Sequence, residues 1–149
     1  MKRFSFDPEK ILKLRLYREQ EAEAALGRAV SALTAIEQRL DVIARERFRS
    51  AAERFAPENG AAEILAHERY IQRLDAAREE LLKEAAMAAL RVEEARSEYI
   101  EASRDRKVLD KLKERRQKEY RKAVLAEEVK TLDDIAGGAV VRKLMGENL

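Results

Sequence analysis

The sequence predicts an all-α protein, a long two-helix antiparallel coiled-coil hairpin whose second helix overhangs the first. Three observations carry this. Charged residues make up 40% of the chain and aromatics only 5%, with 5 Gly, 2 Pro and neither Cys nor Trp. That is the composition of long helices rather than of an ordinary globule. Aliphatic residues recur at regular spacing throughout, which disordered segments lack. One break, Pro57-Glu58-Asn59-Gly60, joins a helix-ending Pro to an Asn-Gly turn signal and separates two stretches that are otherwise fit for helix.

Asp7-Pro8-Glu9 reads as the first helix start: Asp accepts from orphan N–H groups, Pro suits the first helical position, and Glu favours the positive helix end. Helix 1 is expected over residues 8–56, with only Gly27 inside it at about 1 kcal/mol. Its stripe is Leu12, Leu16, Leu26, Val30, Leu33, Ile36, Leu40 and Ile43, interrupted by Glu19 and Glu23. Helix 2 is expected over 61–136, ended by Gly137-Gly138, with residues 137–149 as a tail. Its period is the clearer. Ile71, Leu74, Arg78, Leu81, Ala85, Ala88, Val92, Ala95, Tyr99, Ala102, Arg106 and Leu109 alternate by three and four, the spacing of a coiled-coil seam. Together these make a single coiled-coil domain over 1–149.

A short connection makes consecutive helices antiparallel neighbours. Folding about the turn sets residues whose numbers sum to roughly 117 opposite one another. Leu33 then faces Ala85, Val30 faces Ala88, Ile43 faces Leu74 and Leu16 faces Ala102, large against small. A swapped dimer would use the same contacts. The arms are unequal, so helix 2 overhangs from Lys111 to Ala136, with little beyond the first few residues of the chain to lie against.

Several function classes are disfavoured. Thirty-one Lys and Arg against 29 Asp and Glu give a net charge of +2, without the basic excess of bulk nucleic-acid binding. The start, Met1-Lys2-Arg3-Phe4-Ser5-Phe6-Asp7, lacks the apolar stretch of a signal peptide, and no window resembles a membrane span. These features give a cytoplasmic address as the expectation. His67 is the only histidine and reads as a solvated surface residue near the turn. Carboxylates pair along helix surfaces, as in Glu9–Lys13, Glu79–Lys83 and Glu114–Lys118. Gly137-Gly138 is no phosphate loop. No catalytic residue, cofactor or metal site is expected, and the protein is read as acting by binding other proteins.

Two features suggest where. The stretch Arg104 to Lys122 holds 10 basic and 4 acidic residues. It is either a solvated face or a basic docking stripe for an anionic protein surface or a nucleic acid. The next segment, Ala123 to Ala136, has 4 acidic residues and 1 basic, and carries Leu125, Val129, Leu132 and Ile135 at helical spacing. That stripe reads as a binding face for a groove in another protein. Near the turn, Phe48, Phe55 and Tyr70 either staple the loop or form an exposed aromatic patch.

Three segments carry a resemblance: Phe4-Ser5-Phe6-Asp7-Pro8-Glu9-Lys10-Ile11-Leu12-Lys13-Leu14-Arg15, Asp105 to Arg116, and Glu127-Glu128-Val129-Lys130-Thr131-Leu132-Asp133-Asp134-Ile135-Ala136. In order, spacing and chain length the sequence resembles the FliJ family, the general chaperone and stalk-like component of the flagellar type III export apparatus. The resemblance implies binding to the hexameric export ATPase, contact with the export gate protein FlhA, and recycling of substrate-specific export chaperones. It also implies a place at the inner membrane of the flagellar base, held only through partners; from the charge balance, no nucleic-acid partner is expected. Lys107, Lys111, Arg115, Arg116 and Lys118 become candidates for the ATPase-facing surface, and Phe48, Phe55 and Tyr70 for the export gate. The alternatives are an injectisome-type export stalk and a structural coiled-coil scaffold or tether.

Overall fold

The computed structural model of the chain describes residues 2–147. It is an all-α helical hairpin of two long helices packed on each other, α1 (Glu9–Glu53) and α2 (Ala61–Glu147). No strand occurs among the described residues. The chain divides into two compact units, one of Tyr17–Ser103 and one joining the residues up to Leu16 with those from Arg104 onward.

In the Tyr17–Ser103 unit both arms follow the 3-4 spacing of a coiled coil. Ile71, Ala88 and Val92 are buried, and Leu74, Leu81, Ala85, Ala95, Tyr99 and Ala102 are half-buried; Arg78 is exposed. On α1 the half-buried residues that follow this spacing are Glu19, Ala22, Leu26, Ala29, Leu33, Ile36, Leu40 and Ile43. Two expected seam residues are corrected: Leu16 and Val30 are exposed, with Arg15 and Ala29 half-buried instead. A strict 3-4 count continued from Leu33 selects 29, 26, 22 and 19. Scanned for large aliphatics, the sequence favoured Val30 over the small Ala29 and Leu16 over the long, charged Arg15, each one residue off the seam. Cross-links between the arms hold the fold-back near the expected register: Ser50 to His67, Arg47 to Asp75, and Tyr70 to Glu46. Cysteines replacing Leu33 and Ala85 are therefore expected to join within one chain under a short bismaleimide, read as monomer mobility on a denaturing gel; only dimeric product would mean a swapped arrangement.

The connection is ordered by local hydrogen bonds. α1 stops at Glu53, three residues before the expected end, because the chain must leave the helix ahead of Pro57. Asn59 caps it, its Nδ2 donating to Glu53 O at 2.8 Å. Glu63 reaches back to accept from Gly60 N at 3.0 Å, and Ile64 N donates to Gly60 O at 3.1 Å. Gly60 is thus the N-cap of α2, with half of a capping box from Glu63.

The other unit departs most from expectation. α1 begins at Glu9 with Leu12 N donating to Pro8 O at 2.9 Å, one residue later than a start capped by Asp7. The segment before it lies along α2. Phe6 (7% exposed), Leu12 (3%) and Leu109 (8%) form a buried cluster with Phe4 and Leu112 against it. Glu9 pairs with Lys113 at 2.9 Å rather than with Lys13 along its own helix. In the other unit Lys83 likewise bonds Glu80, not Glu79. Tyr120 donates its hydroxyl to Lys2 O at 2.8 Å, and its ring lies 5.4 Å from that of Phe4. The first part of the expected overhang, Lys111 to Tyr120, is therefore covered along one side by the N-terminal segment.

At its far end α2 does not stop at Gly137-Gly138 but continues to Glu147. Two glycines cost a helix interior about 2 kcal/mol together, but neither adopts the left-handed conformation in which a glycine commonly caps a helix, since no described glycine has positive φ. Helix formers resume at once, and Arg142 Nε donates to Gly138 O at 3.2 Å. The expected tail is helix as far as Glu147; its last two residues, 148 and 149, lie outside the described residues.

Candidate interaction surfaces

The basic stretch of α2 is sorted by the packing of the N-terminal segment. Leu109, Lys113, Arg116 and Tyr120 recur every three or four residues and so share the side turned to that segment. Lys113 bonds Glu9, and the Arg116 guanidinium lies 5.6 Å from the Phe6 ring centre. Arg15 donates to Asp105 O at 2.7 Å, and Arg106 pairs with Asp110 on its own helix. Lys107, Lys111, Arg115 and Lys118 occupy the opposite side and are all exposed. Among the described residues, none of these four side chains makes an ion pair or hydrogen bond. Four of the five residues named for a basic docking surface thus form one outward stripe. Arg116, though exposed, belongs to the packed side.

The same side of α2 changes character past Lys122. Leu125, Val129 and Leu132 continue it at helical spacing and are exposed, as are Ile135 and Val140. Acidic Glu127, Glu128, Asp133 and Asp134 flank them. A basic stripe thus passes directly into an apolar one along a single helix face.

In the Tyr17–Ser103 unit the aromatics near the turn are not stacked on one another; Phe4–Tyr120 is the one ring pair among the described residues. Phe48 and Phe55 are 78% and 68% exposed, so neither staples the loop. Arg54 lies 4.6 Å over the Phe55 ring while bonding Glu68 at 2.6 Å. Tyr70 is half-buried, its hydroxyl 3.4 Å from Glu46 Oε2 and Arg73 5.8 Å from its ring centre. Asp75 hydrogen-bonds Arg47 Nε at 2.6 Å, which, with its charge, raises the guanidinium pKa above its ordinary value.

His67 is not the solvated residue its place near a turn suggested. It is half-buried and shares a 2.8 Å hydrogen bond with Oγ of Ser50, which is only 4% exposed. Ser50 and His67 sit at facing seam positions, where a polar pair is stable only if each satisfies the other. Ser50→Ala leaves the imidazole without its partner and is expected to lower stability by about 1–3 kcal/mol in urea unfolding. A seam count carried to the turn would have flagged the pair.

No group of three His, Cys, Asp or Glu side chains among the described residues is placed to hold a metal ion. No described helix is long and apolar enough to cross a membrane. What the chain presents is surface: a basic and apolar helix face in one unit, and exposed aromatics beside a turn in the other.

The sequence model of the FliJ family, described as flagellar FliJ protein, matches residues 6–144. The chain belongs to the FliJ family. The match spans Phe6, all of α1, and α2 as far as Leu144 with its exposed apolar stripe, so it takes in every candidate surface described above. No curated protein and no solved structure gives a significant match to the chain. FliJ membership gives the chain a role related to flagellar protein export, in a family that serves as a non-enzymatic export component.

Proposed function

We propose that this chain binds the hexameric flagellar export ATPase, couples it to the export gate protein FlhA, and assists the recycling of substrate-specific export chaperones. The observation that carries the reading is the outward stripe of Lys107, Lys111, Arg115 and Lys118, exposed and without an intrachain partner among the described residues. Cations held on one helix face without internal ion pairs keep their charge available to an anionic partner. Phe48 and Phe55, exposed beside the turn, are the gate-facing candidates, with Tyr70 as a half-buried neighbour.

The coupling mechanism follows from symmetry. A single asymmetric helical element within a six-membered ring meets the six subunits unequally. It therefore favours one subunit state over the others and shifts the ring's conformational and assembly equilibrium by its differential affinity. The protein would act at the cytoplasmic face of the inner membrane, at the flagellar base, attached through these partners. The direct test adds the full chain stoichiometrically to purified export ATPase. Increased hydrolysis and ring assembly are expected; an unchanged rate together with no co-sedimentation would remove the coupling reading.

A further inference from the structure

The segment of α2 from Leu125 to Lys143 is helix throughout and exposed along its length. Its outward side follows a strict 3-4 count: Leu125, Val129, Leu132, Ala136, Ala139 and Lys143. A seam of this kind, three large apolar residues followed by two alanines and a lysine, is not symmetric along its length. Laid parallel and in register on a copy of itself, it sets alanine against alanine and Lys143 against Lys143. In that arrangement Glu128 also falls beside Asp133 of the other chain, a like-charge contact across the flanking positions.

Laid antiparallel, the same residues complement one another. Leu132 meets Ala136, Val129 meets Ala139, and the stem of Lys143 covers Leu125, large against small in each layer. The flanking positions then bring Glu128 opposite Arg142, and Ile135 opposite its own counterpart at the two-fold axis. Because such an interface is isologous, the Glu128–Arg142 pair occurs twice. Arg142 uses its Nε on Gly138 O, and its two terminal nitrogens remain for a carboxylate. Gly137 and Gly138 add no side chain to this stretch, and a Cβ at either would meet nothing within 4 Å. One contact opposes the arrangement: Asp133 lies near its own counterpart across the axis.

We propose that the uncovered end of α2 is a self-association surface, pairing two copies of this chain antiparallel through Leu125 to Lys143. The occupant is argued from charge and size complementarity of the segment with itself, and does not depend on the ATPase reading.

The test uses the full chain. Sedimentation equilibrium is expected to show mass rising from 17.1 kDa toward twice that value with concentration. Glu128→Arg weakens the dimer about tenfold, since two pairs become repulsive at once. Adding Arg142→Glu restores it. Glu128 and Arg142 lie about 21 Å apart along one helix, so rescue can come only from contact between chains. Asp133→Asn is expected to tighten association. The chain has no cysteine, so single replacements report the arrangement: Ile135→Cys should cross-link between copies under mild oxidation, and Leu125→Cys should not. A monomer at several hundred micromolar, failure of the double reversal to rescue, or preferential cross-linking through Leu125→Cys would each overturn the proposal. A monomer would also assign this face to a different protein.

Discussion

Replacing Phe6 with alanine is expected to release the N-terminal segment from α2 while leaving the Tyr17–Ser103 unit folded. Phe6 is one of only three buried hydrophobic residues in its cluster, with Leu12 and Leu109. Removing a buried phenyl ring costs about 3–5 kcal/mol, from lost transfer free energy and the cavity left behind. The Arg116 guanidinium over the ring is lost with it, adding about 0.5–1 kcal/mol at an exposed site. Against whole-protein stabilities of about 5–15 kcal/mol, that is large for so small a cluster. Nothing else on the short segment compensates, since Phe4 is only half-buried and Tyr120 holds Lys2 through one hydrogen bond. Native-state hydrogen exchange is the measurement. Amides of residues 105–120 should lose protection in Phe6→Ala while those of residues 64–102 keep theirs. Phe4→Ala should produce a smaller loss in the same place. Unchanged protection over 105–120 would mean that the segment contributes little to holding this unit together.

The same residues mark the limit of what the sequence made legible. The helical hairpin, its turn and the seam of α2 were readable because each rests on local chemistry: a period of three and four, a Pro, an Asn-Gly pair. Where the outcome depended on which distant segment arrives, the sequence was silent. Phe4 and Phe6 alternate as in an extended segment, but nothing in that alternation says that the segment returns along α2 to cover Leu109, Leu112 and Tyr120. Glu9 shows the same limit, since helical spacing offers Lys13 and the fold supplies Lys113. Gly137-Gly138 failed for a different reason. Propensity says that glycine weakens a helix, not that it ends one, and no described glycine here takes the left-handed conformation of a helix cap. Of the candidate surfaces, the basic stripe was legible as composition. Its division into outward cations and the inward-side Arg116 required knowing which face the N-terminal segment covers.

That division decides how the ATPase-facing surface should be probed. Arg115→Glu with Lys118→Glu is expected to weaken binding to the export ATPase at least tenfold and leave helicity and thermal stability unchanged. Both side chains are exposed, and neither side chain makes an ion pair or hydrogen bond among the described residues, so reversing them breaks no internal ion pair or side-chain hydrogen bond. Each reversal changes the charge by two units at a surface proposed to meet an anionic partner. A tenfold loss corresponds to about 1.4 kcal/mol, within reach of two rim charges turned repulsive. The effect should fall mainly on the association rate and shrink as salt is raised, because exposed charges beyond a Debye length of about 8–10 Å are screened. Arg116→Glu alone is the informative contrast. Its guanidinium lies over Phe6, so it should lower stability and alter exchange over 105–120 before it alters affinity. Surface plasmon resonance at two ionic strengths, with circular dichroism of each variant, separates these outcomes. If Arg115→Glu/Lys118→Glu bound with native affinity at low salt, the outward stripe would not be the ATPase-facing surface, and the apolar face beyond Lys122 would be the remaining candidate on this helix.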